Sequence, residues 1–342
     1  MAALKLNRAG IDVSSQELVV KLEKKGVSQT EVSIFENNKA GHKKLIKYLT
    51  KGGSKAQVCL EATGVYHFEL ALCLFKSSAI DVMVVNPKVI KHFAIASMQR
   101  AKTDRVDAEI ILEYLKRMEF IDWRAPEEEH LQLQALSRRM YQLKQEIVRE
   151  TGRRHAGDYS HVLENTVNND IEVNIRHIKG RIALLQSKAL EVIQSNDILQ
   201  KKFNLLISIK GIAKTSAIQI LSELVCLPAD MAAEQWVAFT GLDPRAVESG
   251  SSISKPRRIS KAGNKYLRTA LYMPAWVAVQ TEASVKAFYD KLLTAGKKPM
   301  QAIVAVMRKL LHAIWGILHS NKPWDGQKFF AVTADQRAVV KA

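Results

Sequence analysis

The sequence predicts a mixed α/β domain followed by a region of helices only. Three observations carry that prediction. Short segments with period-two alternation open the chain, and segments of strand and helix type then take turns up to about residue 120. Beyond residue 126 the apolar residues recur at steps of three and four.

Leu6–Val13 reads as a strand with Asp12 near its end, Glu17–Lys24 as the next strand with Gly26 in the turn, and Thr30–Phe35 as the third. Ala40–Leu49 is a helix with Leu45, Ile46 and Leu49 on one face. Val58-Cys59-Leu60 marks a buried strand that ends at Glu61, and Gly64 breaks the chain behind it. Tyr66–Phe75 is a helix, and Asp81–Val85 is a buried strand closed by Asn86-Pro87. Lys102–Met118 is amphipathic, with Ile110, Ile111, Tyr114, Leu115 and Met118 as its stripe. Three strands, helix, strand, helix, strand, then helices is the element order of the ribonuclease H fold.

Composition narrows the function. The chain has 342 residues, 47% of them hydrophobic, enough for two or three folded domains. Lys and Arg number 51 against 34 acids, a net charge of +17. Such an excess implies a polyanionic partner, most simply DNA or RNA. Lys5 and Arg8 are followed by no long apolar run, so no signal peptide is read, and no apolar run of membrane-spanning length is read either. A cytoplasmic protein without a membrane partner is expected. Cys59, Cys73 and Cys226 are scattered in apolar contexts and read as core thiols rather than disulfides or zinc ligands.

Four acids stand out by their places. Asp12 ends the first strand, Glu61 ends the fourth, and Asp104 and Asp107 lie three apart at the start of one helix. The first and fourth strands of a ribonuclease H sheet are neighbours, and a helix packed on that sheet can deliver the other two carboxylates. Paired like charges cost free energy unless a cation offsets them. Hard divalent ions such as Mg2+ take oxygen ligands of this kind, and two ions can clamp the attacking and leaving oxygens of a phosphodiester. A solvated first helical turn is the plain reading of Asp104 and Asp107 by themselves.

From 126 to 200 the sequence reads as a helical arm. Leu133, Leu136, Met140, Leu143 and Ile147 form one seam, and Ile171, Ile175, Ile178, Ile182, Leu185, Ala189 and Val192 form another. The polar stretch 152–169 reads as a reversing loop. Both an antiparallel hairpin and a pairing with another subunit fit. Arg138, Arg139, Lys144, Arg149, Arg153 and Arg154 are cations that can meet nucleic acid or simply face solvent.

From 201 to 325 the sequence reads as helical, with one long polar loop. Residues 205–224 resemble a helix-hairpin-helix, whose turn amides at Gly211 face a DNA phosphate, with Lys210, Gly211 and Lys214 as nucleic-acid contacts. The fragment GIAKTS lacks the first glycine of a P-loop, which excludes that ATP-binding motif. Residues 241–271 carry Arg245, Lys255, Arg257, Arg258, Lys261, Lys265 and Arg268 among serines and glycines. A loop of that length has a function as a phosphate-binding segment or as the seat of a serine nucleophile. Spacing does not separate Ser249 from Ser251, Ser252 and Ser254.

The stretches GIDVS (10–14), LEATG (60–64), VNP (85–87), KTDRVDA (102–108), IKGIAKTSA (209–217), GLDPRAVESGSS (241–252) and SKAGNKYLRTALYMPA (260–275) occur in one order along nearly the whole chain. Together they resemble the DEDD transposases of bacterial insertion sequences, the Piv/MooV type of insertion-sequence family 110. The resemblance implies a RuvC-like catalytic domain over residues 1–125, a coiled-coil arm over 126–200, a helical transposase domain over 201–325 and a tail over 326–342. It implies Asp12, Glu61, Asp104 and Asp107 as Mg2+ ligands, with two ions per site, and Ser249 as the nucleophile of a phosphoserine intermediate. Lys102 and Arg105 join the cations of 210–214 and 241–271 as nucleic-acid contacts. The implied partners are donor and target DNA, a structured guide RNA from the protein's own element, and further copies of the chain in a dimer or tetramer. The implied setting is the bacterial cytoplasm, at the nucleoid when active.

Two rivals stand beside it. A RuvC-type junction endonuclease uses the same acids with water as the nucleophile. A non-catalytic nucleic-acid scaffold explains the charge and leaves the four acids without a task.

Overall fold

The computed structural model describes residues 6–27, 29–62, 64–98, 103–160, 165–245, 248–249, 253–254 and 258–330. Within those spans, the side chains of 158–160, 165, 245, 248–249 and 253–254 are outside the description. The chain divides into two compact units, Met1–Ala125 and Pro126–Ala342.

The first unit is a five-stranded sheet with helices on both faces. Its elements are β1 (Asn7–Val13), β2 (Glu17–Glu23), β3 (Thr30–Glu36), α1 (Lys39–Leu49), β4 (Ala56–Glu61), α2 (Tyr66–Phe75), β5 (Ile80–Val85), α3 (Pro87–Ala96) and α4 (Asp104–Arg117). The strand order is β3-β2-β1-β4-β5. The first three strands form an antiparallel meander, and β4 runs parallel to both β1 and β5. Helix starts follow their caps: Asn38, Asn86 and Thr103 each accept a backbone N–H from the first turn, and Pro87 sits at the first position of α3.

Strand alternation sorts the side chains between two cores. Ile11, Val13, Val58, Leu60 and Val82 pack with Leu45, Leu49, Leu70 and Leu74 of α1 and α2. Cys59, Met83 and Val85 pack with Ile90 of α3 and Ile110, Ile111 and Leu115 of α4. Asp12 and Glu61 belong by alternation to this second face. Gly10 lets α4 approach: a Cβ there would fall on Leu112 N and Ala108 O.

The second unit contains α5 (Glu128–Ser160), α6 (Asn165–Gln194), α7 (Asp197–Ile207), α8 (Lys214–Leu224) and α9 (Ala233–Thr240). Four two-residue strands follow, β6 (Pro244–Arg245), β7 (Glu248–Ser249), β8 (Ile253–Ser254) and β9 (Arg258–Ile259), then α10 (Lys265–Thr281), α11 (Ala283–Thr294) and α12 (Pro299–Ser320). The region expected to be a loop, 152–169, is mostly helix. Gly152 costs about 1 kcal/mol inside a helix. The 33-residue helix tolerates it because Arg153 pairs with Glu150 at 2.6 Å and Arg154 reaches Glu172 of α6 at 3.5 Å.

α5 and α6 pack on one another. Leu133, Met140, Leu143, Ile171, Ile175, Ile178 and Ala189 are buried along the expected seams, and Ile193 is buried where Val192 was expected. Leu133, Met140, Ala189 and Ile193 share one core with residues of α7 to α12. Phe329 is buried in that core, so packing continues past residue 326 into the expected tail. α12 corrects the membrane reading: it is long and apolar enough to span by length and composition. Its Ala302, Ile303, Val306, Met307, Leu310, Leu311, Ile314 and Ile317 are buried within the unit, as in a core helix. Cys59 is buried in the core as expected, while Cys73 and Cys226 are half-buried; desolvation pushes the Cys59 and Cys226 thiols up to about 12.

Candidate active site

The four acids expected to act together come from three adjacent elements. β1 and β4 are parallel neighbours, and their register pairs Ile11 with Leu60, so Asp12 and Glu61 are the next residues on each strand. α4 packs on β1 and β2 and begins with Asp104 and Asp107 in its first turn, where the helix dipole favours acids. One carboxylate oxygen from each of Asp12, Asp104 and Asp107 lies within 4.8 Å of the others. Glu61 is outside that tight trio but close enough to act on Asp12.

The electrostatics of Asp12 follow from this crowding. Its pKa is raised to about 6, first by burial and then by Asp107, Asp104 and Glu61 in turn, against one backbone N–H from Val13. Among the described residues, the charged groups that act on Asp12 are acids. Arg105 is exposed on α4, and Lys102 lies outside the described residues. A half-buried set of oxygen donors that repel one another is the donor chemistry a hard divalent cation takes. The residues fit such an ion.

In the second unit, β6 pairs with β9 and β7 with β8, so Ser249 sits on a two-stranded ribbon that lies between β6 and β9 in sequence. Hydrogen bonds flank the β6–β9 pair. Ser260 donates to Asp243 Oδ1 at 2.5 Å, and Arg268 donates to the Thr240 carbonyl at 2.8 Å. The Ser249 and Arg245 side chains, and all of Ser251, Ser252, Lys255 and Arg257, lie outside the description. Arg258, Lys261, Lys265 and Lys214 are exposed.

Other expected phosphate contacts have partners within the fold. Lys210 pairs with Glu282 at 3.4 Å. Gly211 has φ 97°, and a Cβ there would sit 2.6 Å from Pro274 O, so its close approach to α10 explains the glycine. Arg138, one of the arm cations, instead grips Glu223 of α8 with two 2.8 Å hydrogen bonds. Asn264, the cap of α10, donates to the same carboxylate at 2.6 Å, and Gln134 does so at 3.4 Å. Sequence reasoning missed this cluster. Arg138 and Glu223 are 85 residues apart, and no local spacing marks the pair.

Two family models match stretches of the chain. The family model for IS110-type DEDD transposases, described as "Transposase", matches residues 9–156. A second, "Transposase IS116/IS110/IS902 family", matches residues 203–290. The class is therefore that of DNA transposases and recombinases, and DNA is the substrate. The pilin gene-inverting proteins of Moraxella bovis and Moraxella lacunata are each 30% identical over 295 residues, 85% of this chain and 89% of theirs. The insertion element IS900 42 kDa protein of Mycobacterium paratuberculosis is 30% identical over 98 residues, 28% of this chain and 24% of its own. The chain belongs to the IS110 family of transposases.

Proposed function

We propose that this transposase cuts and rejoins DNA through a phosphoserine intermediate at a RuvC-like carboxylate centre, guided by a structured RNA from its own element and acting as a dimer or tetramer. The observation that carries the metal part is the convergence of Asp12, Asp104 and Asp107 within 4.8 Å, with Glu61 beside Asp12. The strand order β3-β2-β1-β4-β5 supports the RuvC-like assignment. Mg2+ held by these four acids supplies Lewis-acid polarisation of the scissile phosphate and favours the ionised hydroxyl.

The chain's own groups do the rest. Ser249 Oγ attacks phosphorus and gives its proton to solvent, one P–O bond forms and one breaks, and the departing DNA oxygen takes up a proton from solvent to leave as a free hydroxyl. Reversal of the step with a new hydroxyl rejoins the strand with the number of phosphodiester linkages conserved. Arg258, Lys261 and Lys265, which are exposed, hold the phosphate in this reading. The placement of Ser249 on a two-stranded ribbon supports a positioned nucleophile. Lys102, Arg105, Lys214, Arg245, Lys255 and Arg257 add phosphate contacts in this reading.

Denaturing electrophoresis of the protein with labelled DNA, RNA and Mg2+ tests it. Wild type forms a covalent adduct and Ser249→Ala forms none while still binding nucleic acid. Cleavage by Ser249→Ala would instead assign the attack to water, as in a junction endonuclease.

A further inference from the structure

The outward face of α10 has no task in the account so far. Tyr272, Met273 and Trp276 are 37%, 55% and 38% exposed. Together with Lys265, Thr269 and Gln280 they occupy one side of the helix at its natural period. The other side is fixed: Leu267, Leu271, Pro274, Ala275 and Ala278 are buried, so the aromatic side cannot turn inward. The helix KYLRTALYMPAWVAVQT contains two cations and no acid.

Three large apolar side chains held in water on one helix face form a surface for a partner. Charge decides which kind. A second copy of this chain brings a net charge of +17 to a helix that already carries only positive charge. A DNA strand brings the opposite sign. Tyr272 and Trp276, one turn apart, offer two ring faces to bases, and every base has a face to stack. The helix also starts six residues after β9, the strand that pairs with β6. Lys265, the first residue of α10, is exposed.

We propose that Tyr272 and Trp276 stack on unpaired bases of the DNA strand being processed, with Lys265 on its phosphate. The proposal needs DNA as substrate, which family membership establishes, and does not need a serine nucleophile. It therefore fails or stands separately from the Ser249→Ala experiment.

Fluorescence anisotropy of the full-length protein with single-stranded DNA, duplex DNA and single-stranded RNA of one sequence tests it. Tyr272→Ala with Trp276→Ala weakens single-stranded DNA binding by roughly tenfold or more, and duplex binding much less. Tyr272→Phe with Trp276→Phe, which keeps both ring faces, retains wild-type affinity. Single-stranded DNA carrying 5-iodouracil crosslinks to Tyr272 or Trp276 of the wild-type protein, a readout that does not depend on how any variant folds. Unchanged DNA affinity in the alanine variant together with no crosslink overturns the proposal. So does a loss confined to RNA, or a loss of oligomer in sedimentation with DNA affinity intact, which would give the face to a second copy.

Discussion

Glu223 in the second unit and Asp12 in the first are both carboxylates drawn out of water, and their surroundings differ in sign. Glu223 is 1% exposed at its side chain and is met by the Arg138 guanidinium, the Asn264 amide and the Gln134 amide. Its charge is offset and its lone pairs are filled, so it ties α5, α8 and the cap of α10 together. Asp12 is half-buried, and the charges that act on it come from Asp107, Asp104 and Glu61. Their mutual repulsion raises the free energy of gathering them. The difference teaches where to look for function: a buried carboxylate met by a guanidinium and amides holds the fold, and a crowded set of acids offers oxygen ligands to a cation.

Four changes break or sharpen this contrast. The largest effect belongs to the crowded site. Asp104→Ala removes an exposed acid, so the fold persists by circular dichroism while strand cleavage falls by on the order of a thousandfold. Full cleavage activity would refute the metal assignment. Glu223→Ala does the opposite: it leaves a guanidinium without its carboxylate and destabilises the protein by about 3 kcal/mol in denaturant titration. That is the low end for a broken buried pair, because the Arg138 side chain is 37% exposed and can turn to water.

Asp12→Asn sharpens the comparison because it should stabilise. The folded pKa of Asp12, about 6, is above its ordinary 3.8. The fold therefore binds the proton more tightly than the unfolded chain does. Stability tied to this group is complete below pH 3.8 and is lost as pH rises through about 6. At pH 7 without divalent cation the variant gains on the order of 2 kcal/mol, discounted for partial exposure, and the gain vanishes near pH 3.5. Added Mg2+ raises the thermal midpoint of the wild type and leaves the variant almost unmoved. A destabilised Asp12→Asn at pH 7 would mean the carboxylate is satisfied after all. The smallest effect is expected of Lys210→Ala. Its ion pair with Glu282 is 60% exposed on the lysine side, so thermal denaturation shifts by less than about 1 kcal/mol.

Much of the first unit was legible because its signals are local. The alternation in NRAGIDV and ELVVKLE, the Asn-Pro before α3 and the spacing of Asp104 and Asp107 all act within a few residues. β1 and β4 are neighbours, as the element order implied. Legibility fell where contacts are remote. Residues 152–160 looked like a loop because polar residues and Gly152 crowd there, yet i,i+3 pairing and the packing of α6 extend the helix. Gly211 looked like a phosphate-facing turn, and its close neighbour is α10. Arg138 looked like an outer-face cation, and it reaches across to Glu223.

By itself the sequence determined the periods of strands and helices, the caps that start them, the family, and which acids end up at element termini. Those depend on interactions spanning one to four residues, which any reader of the chain can count. Only the tertiary structure decided which charges meet. Coulomb interaction and desolvation depend on distance and burial in space, so β1, β4 and α4 had to assemble before Asp12 faced other acids, and α5, α8 and α10 before Glu223 found its arginine.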